Sequence, residues 1–400
     1  MRRNPSFRTA RFNSAISTAI IGIIIVLVVI LALVGAYVAL SGSRTTTSNT
    51  STCTTINVSS AMLPSNCELP PATISEAGSS LLYPLFQLWA SNFTKLYPTI
   101  QLNTAAGGSG TGQSEAEHGL IQIGGSDAYL TNTQEAQFPY MLNIPVAISA
   151  QQIDYNIPGI PQSLHLNFSG PLLASIYNGT VSYWDDPAIK AINPGAASLL
   201  PHQLITPIHR SDSSGDTFIF TQYLSFSDPH WNRTVGFGTA VSWPNNPAAT
   251  SANGNSGMVT ACQQKQYSIA YIGVSYLKSA IAAGEGYGYL ENRAGNFVNI
   301  SSSNIQADVN GFQGSIPADE RLSLVYGPGT NSYPIVNFEY AIVAKNQTSQ
   351  AVAIDVQALL LWAILPNYGN SPYFLNQVGF VPLPSPVIQL SEMQIAEIKG

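Results

Sequence analysis

Arg210, Ser214, Gly215 and Asp216 stand close together where a short apolar stretch ending near His209 runs into a helical pattern. The reading is a β-strand, a small polar loop, and a helix whose first turn starts around Ser214 to Thr217. Ser213, Ser214 and Asp216 are N-cap candidates, and Gly215 lets backbone approach a ligand closely. A helix N-terminus leaves N–H groups unpaired and carries a partial positive charge, so it favours anions. Arg210 adds a cation whose fork of donors suits an oxyanion. The chemistry on offer is capture of a tetrahedral anion. The plainer reading is a capped helix with Arg210 paired to Asp212.

Three upstream loops carry residues of the same kind. Residues 72–76 read as a strand, 77–80 as a loop and 81–96 as an amphipathic helix. A second strand at 100–104 runs into Gly107-Gly-Ser-Gly-Thr-Gly112, with a helical stretch to about Gly119. A third strand, 120–123, leads to the loop Gly124-Gly-Ser-Asp127. Strand, small-residue loop and helix recur, which is α/β architecture with its loops at the carboxyl ends of parallel strands. The glycine loop lacks the lysine of a P-loop and the full dinucleotide fingerprint. A core helix is expected at 351–365.

The 400-residue chain is 45% hydrophobic and only 9% charged, with a net charge of −6. Few basic residues argue against a nucleic-acid partner. A hydroxyl-rich, charge-poor chain suits an acidic exterior. Residues 1–11 form a basic cytoplasmic flank with Arg2, Arg3, Arg8 and Arg11. Residues 12–40 contain an apolar run long enough for a bilayer core of about 30 Å. It reads as a transmembrane anchor, with a leader as the alternative, and the basic flank stays inside. Residues 41–70 read as a Ser/Thr-rich stalk. Asn-X-Ser/Thr sequons recur from Asn49 to Asn346, as in an exported glycoprotein. Cys53 and Cys67 could close a disulfide loop, a pairing the sequence leaves open; Cys262 reads as a small buried apolar residue. Without Cys-X-X-Cys or histidines at ligand spacing, no metal or other cofactor is expected.

The chain resembles the PstS family, the phosphate-binding proteins of ABC importers. The resemblance covers about residues 72–390. It rests on Ala77-Gly-Ser-Ser-Leu-Leu-Tyr-Pro84, Gly108-Ser-Gly-Thr-Gly112, Gly124-Gly-Ser-Asp-Ala128, residues 176–189, Asn193-Pro-Gly195, residues 210–224, Ile269-Ala-Tyr-Ile-Gly273, Tyr333-Pro-Ile335 and Gly379-Phe-Val-Pro-Leu-Pro384. It implies a type II periplasmic-binding-protein-like α/β fold of two lobes. The first combines residues 72–155 and 336–400, and the second is 156–335. Crossover strands at 152–157 and 335–343 form the hinge. It also implies phosphate contacts at Ser80 and Leu81, at Ser109, at Asp127, and at Arg210, Ser214, Gly215 and Asp216. The implied activity is that of a receptor rather than an enzyme. As a monomer at the cell surface, it would deliver inorganic phosphate to the membrane subunits of an ABC permease. Asp127 suits such a site because a carboxylate can accept a hydrogen bond from a protonated phosphate, whereas sulfate has no proton to share.

Three positions depart from the family pattern. Ser80 stands for Thr and keeps the hydroxyl; Leu81 stands for Phe and keeps the backbone N–H. Asp216 stands for Thr, and two readings stay open. It is a first-turn helix acid turned from the ligand, or a second carboxylate that accepts a proton from dihydrogen phosphate in acid. Another oxyanion (sulfate, molybdate, tungstate or arsenate) or a phosphate-sensing role is the alternative function. A hydrolase using Ser109 or Ser214 is disfavoured, since Gly-X-Ser-X-Gly and a matching histidine are missing. Trp184, Asp185 and Asp186 read as a folding motif with a helix cap, and residues 238–257 as a loop.

Overall fold

The computed structural model describes residues 51–400 apart from Gln313. The anchor or leader read over residues 12–40, its basic flank and the first part of the stalk lie outside the described residues. Among the described residues, no helix is long and apolar enough to cross a membrane.

The elements that build the main sheet and the site begin with β1 (Ala72–Gly78), α1 (Tyr83–Leu96), β2 (Ile100–Ala106), α2 (Ser109–Glu117), β3 (Ile123–Ser126) and the 16-residue β4 (Met141–Asn156). Next come β5 (Thr206–Arg210), α3 (Gly215–Ser227), β6 (Thr250–Ala252), α4 (Gly254–Gln264) and β7 (Ser268–Gly273). The short β8 (Gly286–Tyr287), β9 (Val336–Ala344), α5 (Gln350–Ile364) and α6 (Ser385–Ile395) follow. Among the described residues these nine strands form the largest sheet, in the order β2-β1-β3-β9-β4-β7-β5-β6, with β8 also on β4. Pairing is parallel from β2 through β1 to β3, and again from β7 through β5 to β6.

These two parallel groups belong to two α/β lobes that meet on one strand. Residues 141–150 of β4 pair antiparallel with β9, and residues 151–156 pair antiparallel with β7. Only the last residue of β4 escapes full burial, and its run Ile144, Val146, Ala147, Ile148 and Ala150 suits a strand covered on both faces. Pro145 has no N–H for the ladder, and the β4–β9 register shifts there, between Glu339 and Tyr340. A bulge of this kind re-aims the neighbouring side chains.

Helix α5 is buried nearly all round, as its apolar sequence requires. Its Trp362 meets Trp89 and Phe93 of α1 edge-on, at centroid distances of 6.3 and 5.9 Å. Asp186 caps the helix Pro187–Ile192, and Trp184 is buried with its indole N–H donated to Tyr267 O.

Four expectations need correction. The stalk reading fails over residues 51–70. Cys53 and Cys67 form a disulfide, Cys53, Val58 and Leu69 are buried, and Thr99 Oγ1 donates to Leu69 O at 2.9 Å. The apolar minority there packs on the fold despite the Ser/Thr-rich composition. The third strand starts at Ile123, not Leu120, which is 73% exposed. The first helix starts at Tyr83 rather than Leu81, with Pro84 in its first turn. Residues 238–257, read as a loop, hold β6 and the start of α4.

Candidate anion-binding site

The carboxyl ends of β1, β2, β3, β5 and β6 bring their loops to one place, between the parallel groups. The β1–α1 loop supplies Ser79, Ser80 and Leu81; the α2 N-terminus supplies Ser109; Asp127 follows β3. From the other side come Arg210 at the end of β5, Asp212, and the first turn of α3. All eight residues picked out from the sequence are buried and gather here.

Glycine makes the approach possible. A side-chain carbon on Gly215 would stand 2.5 Å from both Asp127 Oδ2 and Ser109 Oγ. The Gly110 N–H donates to Ser213 O at 3.0 Å, and Asn255 donates from its N–H and Nδ2 to Ser80 Oγ at 3.1 and 3.0 Å. Ser275 Oγ donates to Leu81 O at 2.8 Å. A cavity of about 320 Å³ opens beside this seam, lined by Gln113, Glu117, Tyr129, Ser213 and Phe237 among others.

Ser214 is the N-cap of α3, its Oγ accepting from Thr217 N–H at 3.3 Å. By helix geometry the N–H groups of Gly215 and Asp216 have no carbonyl behind them. Ser109 Oγ accepts from Asp127 N–H at 3.1 Å and donates to Asp127 Oδ2 at 3.3 Å. Ser79 Oγ donates to Asp127 Oδ1 and accepts from the N–H groups of Leu81 and Leu82 at 3.1 and 2.9 Å. The Leu81 N–H, expected to face a ligand, is therefore satisfied by Ser79, which caps the turn before α1.

Arg210 is held on two sides. Its Nε donates to Asp212 Oδ1 at 2.7 Å and its Nη2 to Asp212 Oδ2, while Nη1 donates to Asp216 Oδ2 at 2.7 Å. One N–H remains on each of Nη1 and Nη2. Burial alone would lower the Arg210 pKa, but Asp212 and Asp216 outweigh it and keep the guanidinium charged. Burial opposes Asp212's charge too, yet Arg210 holds that carboxyl below its usual value.

Asp216 does not cap α3. Its Oδ2 accepts from Arg210 and from Asn255 Nδ2 (2.6 Å), and its Oδ1 accepts from Gln151 Nε2 at 3.0 Å. Burial pushes its pKa up; Arg210, Gln151 and Asn255 pull it back. Asp127 is pushed up to about 7, first by burial and then by the charge of Asp216, against the pull of Glu339, Ser79 and Arg210. The centre holds one arginine and three aspartates, with Glu339 behind them.

Sequence reasoning missed Ser79, Gln151, Asn255 and Glu339. Ser79 adjoins a residue that was picked out, and its loop was the available signal. Asn255 lay in the segment read as a loop. Gln151 and Glu339 lie in or beside the expected crossover strands, where their polar character amid apolar neighbours was the signal.

A family model for a PBP superfamily domain matches residues 45–364. The chain is 34% identical over 357 residues to the phosphate-binding protein PstS of Methanocaldococcus jannaschii, covering 84% of this chain and 89% of that one. It is 30% identical over 362 residues to the phosphate-binding protein PstS of Xylella fastidiosa, covering 89% and 93%. Among solved structures, a high affinity periplasmic phosphate-binding protein bound with phosphate aligns with a TM-score of 0.64 at 19% identity, over 80% of this chain and 92% of that one. The phosphate-binding protein from Stenotrophomonas maltophilia aligns with a TM-score of 0.61 at 16% identity, over 80% and 93%. At these identities the structural matches speak to the fold.

Proposed function

The chain belongs to the PstS family of phosphate-binding proteins within the PBP superfamily, and from that premise we propose that it binds inorganic phosphate and passes it to the membrane subunits of an ABC permease. The lobes are 72–155 with 336–400, and 156–335; β4 and β9 are the hinge on which they close. The family is one of solute receptors, so binding and release are the activity.

The observation that carries this reading is the meeting of Arg210 and Asp127 at the first turn of α3, Asp127 against Gly215 and Arg210 on Asp216. A guanidinium with two remaining N–H groups answers the negative oxygens of the ligand. Ser80, Ser109 and Ser214 add hydroxyls, and the backbone N–H groups of Gly215 and Asp216 add donors at a helix N-terminus. Asp127, which offers an acceptor, answers a ligand proton. Phosphate carries that proton near neutral pH and sulfate does not, so sulfate would leave a buried carboxylate against an anion. The Asp216 side chain is engaged by Arg210, Asn255 and Gln151, which favours a role in holding Arg210 over accepting a ligand proton.

Residues 12–40, apolar and preceded by arginines, are an anchor that keeps the two lobes outside the membrane near the permease. Sequons then fall on an exterior face. Calorimetric titration of the full chain with phosphate tests the binding reading. Saturable one-to-one binding is expected, and no heat or shift with phosphate at any pH would remove the proposal.

A further inference from the structure

The hinge strands carry buried polar side chains where apolar ones would pack: Ser149 and Gln151 on β4, Asn337 and Glu339 on β9. Gln151 and Asn337 hold the two central aspartates from behind. Gln151 Nε2 donates to Asp216 at its Oδ1 and its carbonyl O. Asn337 Nδ2 donates to Asp127 O at 3.3 Å and to Glu339 Oε1 at 3.1 Å.

Glu339 is the exception among these neutral groups, and its surroundings decide its state. It sits where the β4–β9 register shifts, fully buried, within hydrogen-bond reach of the Asp127 side chain. Its Oε1 accepts from Ser149 Oγ and Asn337 Nδ2, while its Oε2 meets no donor. Neither Glu339 nor Asp127 is in an ion pair; the nearby cation, Arg210, is bound to Asp212 and Asp216. Ser79 and Ser109 face Asp127 from the loops after β1 and β2, and Asp216 adds a further negative charge from α3. Two adjoining buried carboxyls without a cation cannot both ionise, so they share a proton. Asp127 accepts from two hydroxyls; the donor-free oxygen is Glu339 Oε2. That oxygen carries the proton.

We propose that Glu339 is a positioning residue for Asp127: a neutral carboxylic acid that donates from Oε2, fixes Asp127 as an acceptor facing the ligand, and weakens capture when it loses its proton to solvent. Burial first, and then the charge of Asp127, keep Glu339 well above the ordinary carboxylate range. The proton is therefore held through mildly acidic conditions and lost as pH rises. The inference rests on the phosphate reading and adds to it a residue that never touches the ligand.

The test is phosphate titration of the full chain and of E339Q from about pH 4 to about pH 8, spanning the ordinary carboxylate range and well above it. Glutamine keeps a neutral donor for Asp127 and an acceptor for Ser149 and Asn337 but cannot titrate. The ligand's own titration is common to both proteins, so the ratio of their affinities cancels it and leaves the Glu339–Asp127 pair. The ratio should stay within about threefold in acid and reach about tenfold or more in favour of E339Q at the alkaline end. S149A, which removes a donor to ionised Glu339, should move the wild-type decline to higher pH. Parallel profiles for wild type and E339Q, or weaker E339Q binding throughout, would overturn the proposal. If wild type binds no phosphate, the phosphate reading fails alone, because the infrared difference between ligand-free wild type and E339Q still decides this one. A protonated-carboxyl band lost in the variant supports Glu339 as the proton holder; its absence from the difference overturns that.

Discussion

Gly215 abuts Asp127 so closely that a side-chain carbon on the glycine would lie 2.5 Å from the carboxylate oxygen. The first turn of α3 and the loop after β3 meet there, backbone against side chain, and the anion site is built around that contact. Alanine at Gly215 should hold the lobes apart. An overpacking cost of about 1–3 kcal/mol on the closed form gives phosphate affinity roughly tenfold to hundredfold lower. Titration of G215A, with thermal unfolding to verify that it is folded, checks this; unchanged affinity would mean the contact is not part of the bound state.

In the proposed reading, Asp127 separates phosphate from sulfate by its acceptor role. D127N replaces part of that acceptor capacity with donors. Phosphate should bind about tenfold to hundredfold more weakly, the scale of a hydrogen bond to a charged group. Sulfate should bind better than to wild type. Competition between the two anions on D127N and wild type measures both effects, and unchanged preference would remove Asp127 from the specificity argument.

Arg210 is clamped by Asp212 and Asp216 through three of its donors. Lysine cannot reproduce that fork, so R210K leaves a buried carboxylate short of donors as well as weakening the anion site. Affinity should fall by tenfold or more, and the melting temperature should drop as well. A variant that binds normally would show that a point charge is enough.

Stability should be greatest in acid. Glu285 and Glu320 are pushed up to about 8 and Asp355 to about 7, in each case chiefly by burial. Glu76, whose oxygens meet no donor, and Asp308 rise well above the ordinary range for the same reason. A carboxyl with a raised folded-state pKa binds its proton more tightly folded than unfolded. Its contribution is full below the unfolded value of about 4 and is lost as pH climbs through the folded value. Glu320 alone would contribute on the order of a few kcal/mol. Asp212, held low, works the other way but is one group against several. Melting temperatures should therefore fall from about pH 4 to about pH 8, and a maximum at neutral pH would contradict this balance.

The Cys53–Cys67 disulfide closes a loop with a sequence separation of 14. Loop-closure entropy for that length is about 3 kcal/mol. Replacing both cysteines by serine should lower unfolding stability by about 2–3 kcal/mol and leave phosphate affinity unchanged, since neither residue is near the site. Denaturant unfolding beside a binding titration separates the two effects.

The α/β order, and the loops that bring the eight chosen residues to one place, were legible because strand, glycine–serine loop and helix follow one another locally. The α5 helix was legible from its mostly apolar sequence, broken only by Asp355 and Gln357 after Gln350. What stayed hidden depends on long-range contact. Glu339 sits in an apolar strand, and nothing local reveals that it lies beside a carboxylate 212 residues earlier. Helix α4 opens with Gly254, Asn255, Ser256 and Gly257, all poor helix formers, and Asn255 is held by bonds to Ser80, Asp216 and Gly273. Val58 and Leu69 lie among hydroxyl residues whose composition suggested a free stalk, yet they pack on the fold.

The most direct measurement is retention of labelled phosphate on the full chain while sulfate is added in large excess. The account predicts that phosphate stays bound at about a thousandfold excess of sulfate, because only phosphate can donate a hydrogen bond to Asp127. Displacement by sulfate near equal concentration would contradict it, and would show that Arg210 and the α3 N-terminus bind any tetrahedral anion alike.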